Sequence, residues 1–335
     1  MKINRNRTSL LLILFLLLTV VVFFIDLTVG SIYISFREFV DIFAGTNESN
    51  EITREILLNF RLPKAITAIL TGASLSIAGL ILQTLFRNPL ADPYILGVSS
   101  GASLGVALVV MLSAALPVAL VSSGWSLVIA ATVGALLVLM LVVAVSFKVR
   151  NVVSLLIIGI MFGTICGSVV TVLQNFSNPD TIKLFVMWTF GSLSAVTWEY
   201  MRVLFPVVLV GWIMAFALQK RLDALLLGEN YARALGIPIQ QTRLLIVIVT
   251  GLLAGSITAF TGPIAFVGIA IPHIARGIFR TSSHKILLPS SMLLGALLLL
   301  ICDIVTQLPA YTLPLNTVCA LFGAPIIIWI LIKRK

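Results

Sequence analysis

The chain has 335 residues, of which 60% are apolar or aromatic and only 10% are charged. Soluble domains average about 25% charged residues, so a soluble enzyme, a disordered chain and a secreted disulfide scaffold are excluded as classes. The net charge of +10 does not indicate a nucleic-acid partner, because the basic residues lie in short gaps between apolar runs, as they do in membrane proteins.

Ten apolar runs approach the length of about 20 residues that a membrane-spanning helix needs. They cover residues 9–28, 64–84, 97–117, 125–147, 152–175, 200–218, 241–260, 264–279, 286–304 and 314–332. The sequence therefore predicts an all-α polytopic membrane protein with about ten transmembrane helices in a single domain, 1–335. The first run follows basic residues, but it has no small-residue cleavage site and is long for a signal peptide, which favours a retained helix.

The basic residues also predict the orientation of the spans. Ten spans place both termini on one side, and with that side inside, sixteen of the 22 Lys and Arg residues fall in inner segments. Nine of the 12 acidic residues then fall outside. Because basic loops stay on the cytoplasmic side, we expect a multi-pass protein of the cytoplasmic (inner) membrane with both termini in the cytoplasm.

Two segments between the spans have helical patterns of their own. In residues 29–60, apolar side chains recur at helical spacing and predict an extracytoplasmic amphipathic helix at the membrane interface; they are Phe36, Phe39, Val40 and Phe43. The inner segment 219–240 predicts two short helices joined at Gly228, the second ending at Gly236. A solvated linker is the alternative for this inner loop, but an apolar stripe of leucines favours a docking surface for a cytoplasmic partner.

No motif in the sequence indicates chemistry within this chain. It lacks the GxxxxGK[ST] phosphate-binding loop, and no set of residues suits a membrane-embedded hydrolase. His273 and His284 have no third ligand type nearby, so we expect no metal site. Cys166, Cys302 and Cys319 lie in apolar runs without CxxC spacing and are interpreted as buried, inert thiols.

Helix-breaking residues lie at membrane depth, which is tolerated where backbone lines a cavity or is buried in protein. They are Asn88-Pro89 and Asp92-Pro93 after the second span, Gly262-Pro263 and Pro272 in the eighth, and Gly323-Ala324-Pro325 in the tenth. Thr71-Gly72 in the second span and Thr250-Gly251 in the seventh each open a helix rich in small residues. Since these spans run in opposite directions, an inverted repeat of the transporter kind is possible.

Five ordered strings, covering nearly the whole chain, resemble the FecCD-type permeases, which are subunits of ABC importers for iron-siderophores, haem and cobalamin. They are "FRLPKAITAILTGASLSIAGLILQTLFRNPLADPYILGVSSGASLG" (60–105), "WTFGSLSAVTW" (188–198), "LDALLLGENYARALGI" (222–237), "GPIAFVGIAIPHIAR" (262–276) and "LFGAPIIIWILIKRK" (321–335). The resemblance implies the type II ABC importer architecture. It also implies a homodimer with the pathway on its two-fold axis, two cytoplasmic ATPase subunits that hold ATP and Mg, an extracytoplasmic binding protein and a metal-chelate substrate. This chain itself would carry neither a cofactor nor an ATPase site.

The resemblance also assigns roles residue by residue. Arg61 and Lys64 match a basic pair that docks the binding protein, and Asn88, Pro89 and Leu90 match the cytoplasmic gate. The ATPase-coupling positions are Leu225, Leu226, Leu227, Gly228, Glu229, Ala232, Leu235 and Gly236. From the residues alone, membrane-interface anchoring is the alternative for Arg61 and Lys64. His273 is interpreted as a structural hydrogen-bonding residue.

The sequence departs from the family pattern after the ninth span. Gln307 stands where many members have Arg, Thr312 replaces a Glu and Asn316 replaces a Gly. A third basic docking position is therefore not expected, and we expect the neutral Gln307 to contribute little to docking of the binding protein.

Three functional hypotheses follow from the sequence. An importer of an iron-siderophore-type chelate is favoured, with haem or cobalamin as alternatives within the family. A secondary transporter would need an intramembrane carboxylate, whereas Asp26, Glu199 and Asp303 are expected near the outer ends of spans. A signalling or scaffold protein would need a soluble domain.

Overall fold

The structure is a computed structural model and describes residues 5–30, 32, 34–35, 38–39, 42, 51–113, 124–149, 152–308 and 312–333. Within these ranges the regular secondary structure is helical. In chain order the α-helices are α1 (Arg5–Thr28), α2 (Glu51–Glu55), α3 (Leu62–Phe86), α4 (Val98–Met111), α5 (Ser126–Ser146), α6 (Val152–Asn175), α7 (Pro179–Thr189), α8 (Trp198–Ala217), α9 (Gln219–Leu226), α10 (Glu229–Ala234), α11 (Ile239–Thr261), α12 (Val267–Phe279), α13 (His284–Gln307) and α14 (Leu315–Lys333). A π-helical turn, Ile56–Arg61, joins α2 to α3, and a 3-10 turn, Pro93–Leu96, precedes α4.

Each of the ten predicted spans coincides with an apolar helix, which confirms the prediction of an all-α polytopic fold. Among the described residues, seven helical segments are long and apolar enough to cross a membrane: α1, the segment from α2 to α3, α5, α6, α8, α11 and α13. The other three spans are the shorter apolar helices α4, α12 and α14. Many large apolar side chains on α1, α5, α6 and α8 are exposed, as expected of helices that face lipid or a second membrane subunit.

The sequence analysis did not predict α7. Helix α7, between the fifth and sixth spans, has only 11 residues and carries Asp180 and Lys183 among its apolar side chains. The search for long apolar runs missed it for that reason.

The amphipathic helix predicted within residues 29–60 is described only in part. Phe36, Val40 and Phe43 lie outside the described residues. Phe39 is buried, and its ring packs edge-on against Phe24 with 5.7 Å between ring centres. The segment ends in α2 and the π-helical turn, which lead directly into α3.

Helix α3 is the centre of the bundle, and 89% of its most apolar window is buried. Small residues let neighbouring helices approach it at backbone distance. A Cβ atom on Gly72 would lie 2.0 Å from the carbonyl oxygen of Gly295 in α13, and one on Gly79 would lie 1.9 Å from that of Gly268 in α12. The small residues of the second span therefore serve close helix packing.

The break at Gly262-Pro263 is present, and it separates α11 from α12. Two amide groups freed by this break hydrogen-bond to side chains from distant segments. The amide of Ile264 donates to the hydroxyl of Tyr94 at 2.9 Å, and that of Ala265 donates to Asn316 Oδ1 at 3.0 Å. These bonds satisfy backbone groups that the break leaves without a helical partner.

The expectation that proline also interrupts the helices at Pro272 and Pro325 is wrong, since α12 and α14 continue through these residues. Proline lacks the N–H that would bond to the carbonyl four residues earlier. For Pro272 that carbonyl belongs to Gly268, and Gln83 Nε2 donates to it at 3.2 Å. A side chain of α3 thus takes over the missing helical hydrogen bond.

Candidate functional site

The segment 219–240 forms two short helices, α9 and α10, as predicted. They meet at Gly228, whose φ of +117° lies in a region that residues with a side chain rarely adopt. Gly236 follows α10 with φ +80°, and a Cβ atom there would meet nothing within 4 Å. We call the segment 219–240 the coupling loop.

The coupling loop divides its apolar side chains between two surfaces. Leu222, Leu225 and Ala232 are buried against the bundle and hold the loop in place. Other apolar side chains of the same loop point away and are 43 to 65% exposed: Leu226, Leu227, Tyr231 and Leu235. An exposed apolar patch among charged residues is typical of a protein-binding surface.

Side-chain bonds attach the coupling loop to the inner helices of the bundle. Glu229 forms an ion pair with Arg243 of α11, whose Nε donates to Glu229 Oε1 at 3.2 Å. Arg87, just after α3, donates from Nη2 to the carbonyl of Leu225 at 3.3 Å. Between these contacts lies a groove of about 880 Å³, which both arginines line.

Asp223 of α9 forms a third attachment. Its Oδ1 lies 2.7 Å from both the backbone nitrogen and the ring Nδ1 of His284, the first residue of α13. Burial alone would raise the pKa of Asp223, but the hydrogen bonds from His284 outweigh it and hold this pKa below its usual value.

The predicted gate residues form a turn at the same end of the bundle, which we call the α9 end. Asn88 Oδ1 accepts from the amide of Leu90 at 3.0 Å. The carbonyl of Pro89 lies 3.0 Å from His273 Nε2 of α12. Since a carbonyl only accepts, this nitrogen carries the proton, and the interpretation of His273 as a structural hydrogen-bonding residue is confirmed.

A buried acidic residue follows this turn. Asp92 caps the 3-10 turn, and its Oδ1 accepts from the amide of Tyr94 at 2.8 Å. Burial raises the pKa of Asp92 to about 6, and the hydrogen bond from Tyr94 opposes this rise only in part. Asp92 belongs to the tightly packed segment that joins α4 to the turn at Asn88, Pro89 and Leu90, which we call the gate turn.

At the opposite end of the bundle, the side chain of Arg61 is buried rather than exposed to solvent. Arg61 is only 8% exposed. Its Nη1 donates to the carbonyls of Leu27 and Thr28 at 2.9 and 3.0 Å, and its Nη2 donates to that of Ile32. These bonds satisfy free carbonyls at the carboxyl end of α1, where a positive charge is also favourable.

Lys64 has a buried partner as well. Its Nζ lies 2.8 Å from Asp303 Oδ2, and the two side chains are 13% and 3% exposed. An ion pair therefore joins α3 to α13 at this end. The docking role of Arg61 and Lys64 stays a prediction, and it depends on the family resemblance alone.

Two of the residues that depart from the family pattern, Gln307 and Asn316, have definite contacts. Gln307 Nε2 donates to the Oδ2 and the carbonyl oxygen of Asp303 at 3.0 and 3.2 Å, and its small contribution to docking stays a prediction. The side chain of Asn316 accepts from the backbone N–H of Ala265, as described above, and the backbone N–H of Asn316 donates to the carbonyl of Phe190. Sequence reasoning missed the contacts of Asn316 because they join segments far apart in the chain.

Helix α6 carries an exposed polar stripe that the sequence analysis did not single out. The hydroxyl residues Thr164, Ser168 and Thr171 recur at helical spacing, and each donates to the carbonyl four residues earlier at 2.9 to 3.0 Å. The spacing of three and four residues is the signal that could have identified the stripe. Within the described residues, no group of three or more His, Cys, Asp or Glu side chains is placed to hold a metal ion.

Comparison with known proteins identifies relatives along the whole chain. The model of the FecCD transport family matches residues 17–333. The hemin transport system permease protein HmuU of Yersinia pestis is 31% identical over 335 residues, which are 99% of this chain and 98% of that protein. The vitamin B12 import system permease protein BtuC of Salmonella arizonae is 37% identical over 279 residues, 82% of each chain. A solved structure described as a metal-chelate type ABC transporter in an inward-facing conformation has a TM-score of 0.85 at 29% identity, covering 98% of this chain and 100% of its own.

Proposed function

Because the chain belongs to the FecCD transport family, we propose that it is the membrane permease of an ATP-binding-cassette importer for a metal chelate. Two copies form a homodimer around a pathway on its two-fold axis. Two separate ATPase subunits, which hold ATP and Mg, bind the α9 end, and this end and both termini face the cytoplasm. An extracytoplasmic binding protein delivers the chelate to the opposite end.

The observation that carries the proposal is the coupling loop. It exposes four large apolar side chains, while its buried face and its bonds to Arg87, Arg243 and His284 fix it to α3, α11 and α13. A surface fixed in this way can pass the movement of a bound ATPase to the spans as rigid-body motion. The positions Leu225 to Gly236 are therefore proposed as the ATPase-coupling element.

The gate is proposed for the turn at Asn88, Pro89 and Leu90. This turn lies at the α9 end, and the Pro89–His273 bond connects it to α12. Movement of α12 therefore changes the position of the turn directly.

The polar stripe of α6 supports a pathway between two copies. Polar side chains on lipid-facing helices are costly, and α6 otherwise exposes apolar residues such as Ile157, Ile165 and Val172. A water-filled pathway on the two-fold axis would solvate Thr164, Ser168 and Thr171.

We infer that the substrate is an iron-siderophore-type chelate, with haem and cobalamin as the alternatives. The secondary-transporter hypothesis would need an intramembrane carboxylate free to bind the driving ion. The buried Asp303 is instead paired with Lys64 and accepts from Gln307, so this hypothesis is not favoured.

Reconstitution tests the proposal. The permease is incorporated into proteoliposomes with its ATPase subunits inside and its binding protein outside, and labelled ferric siderophore, hemin and cyanocobalamin are offered in separate reactions. We expect uptake of one of the three probes, dependent on internal ATP and insensitive to an uncoupler.

Vesicles that lack the ATPase subunits are the matched control, and they should take up none of the probes. Uptake that persists in these vesicles and collapses with the uncoupler would refute the importer and favour the ion-driven alternative. Binding of the ATPase subunits without ATP-dependent uptake of any of the three chelates would refute the substrate class.

A further inference from the structure

His284 lies where three helices meet at the α9 end. It is the first residue of α13 and only 1% exposed. Its ring Nδ1 is 2.7 Å from Asp223 Oδ1 of the coupling loop, and its Nε2 is 2.8 Å from Thr84 Oγ1 in the last turn of α3. One side chain therefore bonds to both the coupling loop and the central helix.

The bond between Thr84 and His284 does not depend on which of the two donates. Thr84 Oγ1 also lies 3.0 Å from the carbonyl of Leu80, and a hydroxyl has a single proton to donate. The hydroxyl therefore donates either to this carbonyl, with Nε2 as the donor to Thr84, or to Nε2 itself.

The other ring nitrogen faces a carboxylate. Asp223 Oδ1 already accepts the backbone N–H of His284 at 2.7 Å, and an ionised carboxylate has no proton to donate. Nδ1 must therefore carry a proton and donate it to Asp223. The short distance is typical of charge-assisted hydrogen bonds.

Asp223 also caps α13. Ser283 occupies the N-cap position, but its side chain makes no capping bond within its own helix. The backbone N–H at the start of α13 is instead satisfied by Asp223 from the coupling loop, where a negative charge meets the positive end of the helix. The coupling loop thus holds α13 through the backbone N–H of His284 as well as through the His284 ring.

We propose that His284, bonded to both Asp223 and Thr84, is the positioning residue that makes α3 and α13 move with the coupling loop. The inference deepens the proposed function and rests on it. The helices α3 and α13 also bear the gate turn and the Lys64–Asp303 pair, so this link connects the ATPase surface to both ends of the bundle.

Three variants test the link: Asp223→Asn, His284→Gln and the double variant. Each should assemble with the ATPase subunits and hydrolyse ATP within about twofold of the wild type, while uptake of the probe that the wild type transports falls about tenfold or more. The double variant should be no worse than the poorer single variant, because both changes break one link. Lys285→Gln is the control, since it removes an exposed cation one residue further along α13.

If Asp223 and His284 only stabilised the start of α13, the three variants would give a different result. Uptake and ATP hydrolysis would then fall in parallel, and that outcome, or unchanged uptake, overturns the link. If the wild type takes up none of the three chelates, the proposed function fails, and the decision on His284 comes from spectroscopy.

The spectroscopic measurement depends on neither transport nor the substrate. The chain has two histidines, so ¹⁵N-histidine labelling gives a simple spectrum, in which His284→Gln identifies the signals. We expect Nδ1 of His284 to carry a proton that is hydrogen-bonded to Asp223, and we expect the signal of this nitrogen to move in Asp223→Asn but not in Lys285→Gln. His284 signals that are the same in the wild type and in Asp223→Asn would overturn the inference without affecting the assignment as a permease.

Discussion

The contact between α3 and α13 at Gly72 gives a sharp prediction for the packing of the bundle. In Gly72→Ala, the added Cβ atom would lie 2.0 Å from the carbonyl oxygen of Gly295. Ordinary van der Waals contacts of this kind begin near 3.4 Å, so the two backbones must separate by more than 1 Å. Because the neighbour is backbone, it cannot turn aside as a side chain would.

The magnitude follows from two opposing effects. Overpacking destabilises the folded protein by about 1–3 kcal/mol or more, while replacing glycine by alanine within a helix stabilises the helix by about 1 kcal/mol. We therefore expect a net loss of about 2 kcal/mol, or a decrease in Tm of about 4 °C or more. In Gly277→Ala, the added Cβ atom meets nothing within 4 Å, so this exposed helical glycine is the matched control.

The assay is thermal unfolding of both purified variants in the same detergent. Gly72→Ala should unfold at a lower temperature than the wild type, and Gly277→Ala at the same or a slightly higher temperature. Equal Tm values for the two variants would refute the close approach of α3 and α13 at Gly72.

Three further predictions concern buried polar groups and are all measured by unfolding in detergent. Asp303→Asn should destabilise the protein by about 3 kcal/mol because it leaves the Lys64 charge without its partner. Adding Lys64→Met should restore much of the lost stability, and a double variant whose loss of stability equals the sum of the two single losses would contradict the ion pair. Gln307→Ala should cost about 1 kcal/mol because Asp303 loses a hydrogen-bond donor, whereas a silent substitution would mean that this donor has no net effect. The pKa of Asp92 is raised to about 6, so the folded state holds this proton more tightly than the unfolded state does, and stability falls as the pH rises from about 4 to 6. Asp92→Asn, which can still accept from Tyr94, should therefore stabilise the protein at pH 7.5 by up to about 3 kcal/mol and lose this advantage near pH 4. A stability difference between Asp92→Asn and the wild type that does not change with pH would contradict the shift.

The spans could be predicted from the sequence because a helix in lipid needs a continuous apolar run, and such runs are local. The short α7 could not be found in this way, because its charges interrupt the apolar pattern. The glycine junction of the coupling loop was also predictable, since Gly228 lies between two short apolar patterns and adopts the backbone that only glycine takes readily.

The environment of charged side chains could not be predicted, because their partners lie far away in the chain. Arg61 binds carbonyls 33 and 34 residues earlier, and Gln83 completes the hydrogen bonding of α12 across 185 residues. Nothing in the local sequence separates an exposed docking cation from one buried against a helix end. The same holds for Asn316, whose replacement of a family glycine is explained only by the break between α11 and α12.

The most direct test of the account compares ATP hydrolysis with uptake in Gly228→Val. At φ +117°, a β-branched residue is strained, so the junction between α9 and α10 must change while the spans are left as they are. Gln241→Val introduces the same residue at an exposed helical position just beyond the loop and serves as the control. The account predicts that Gly228→Val hydrolyses ATP with little uptake, while Gln241→Val keeps the wild-type ratio of uptake to hydrolysis. A wild-type ratio in assembled Gly228→Val would contradict the coupling role of the loop.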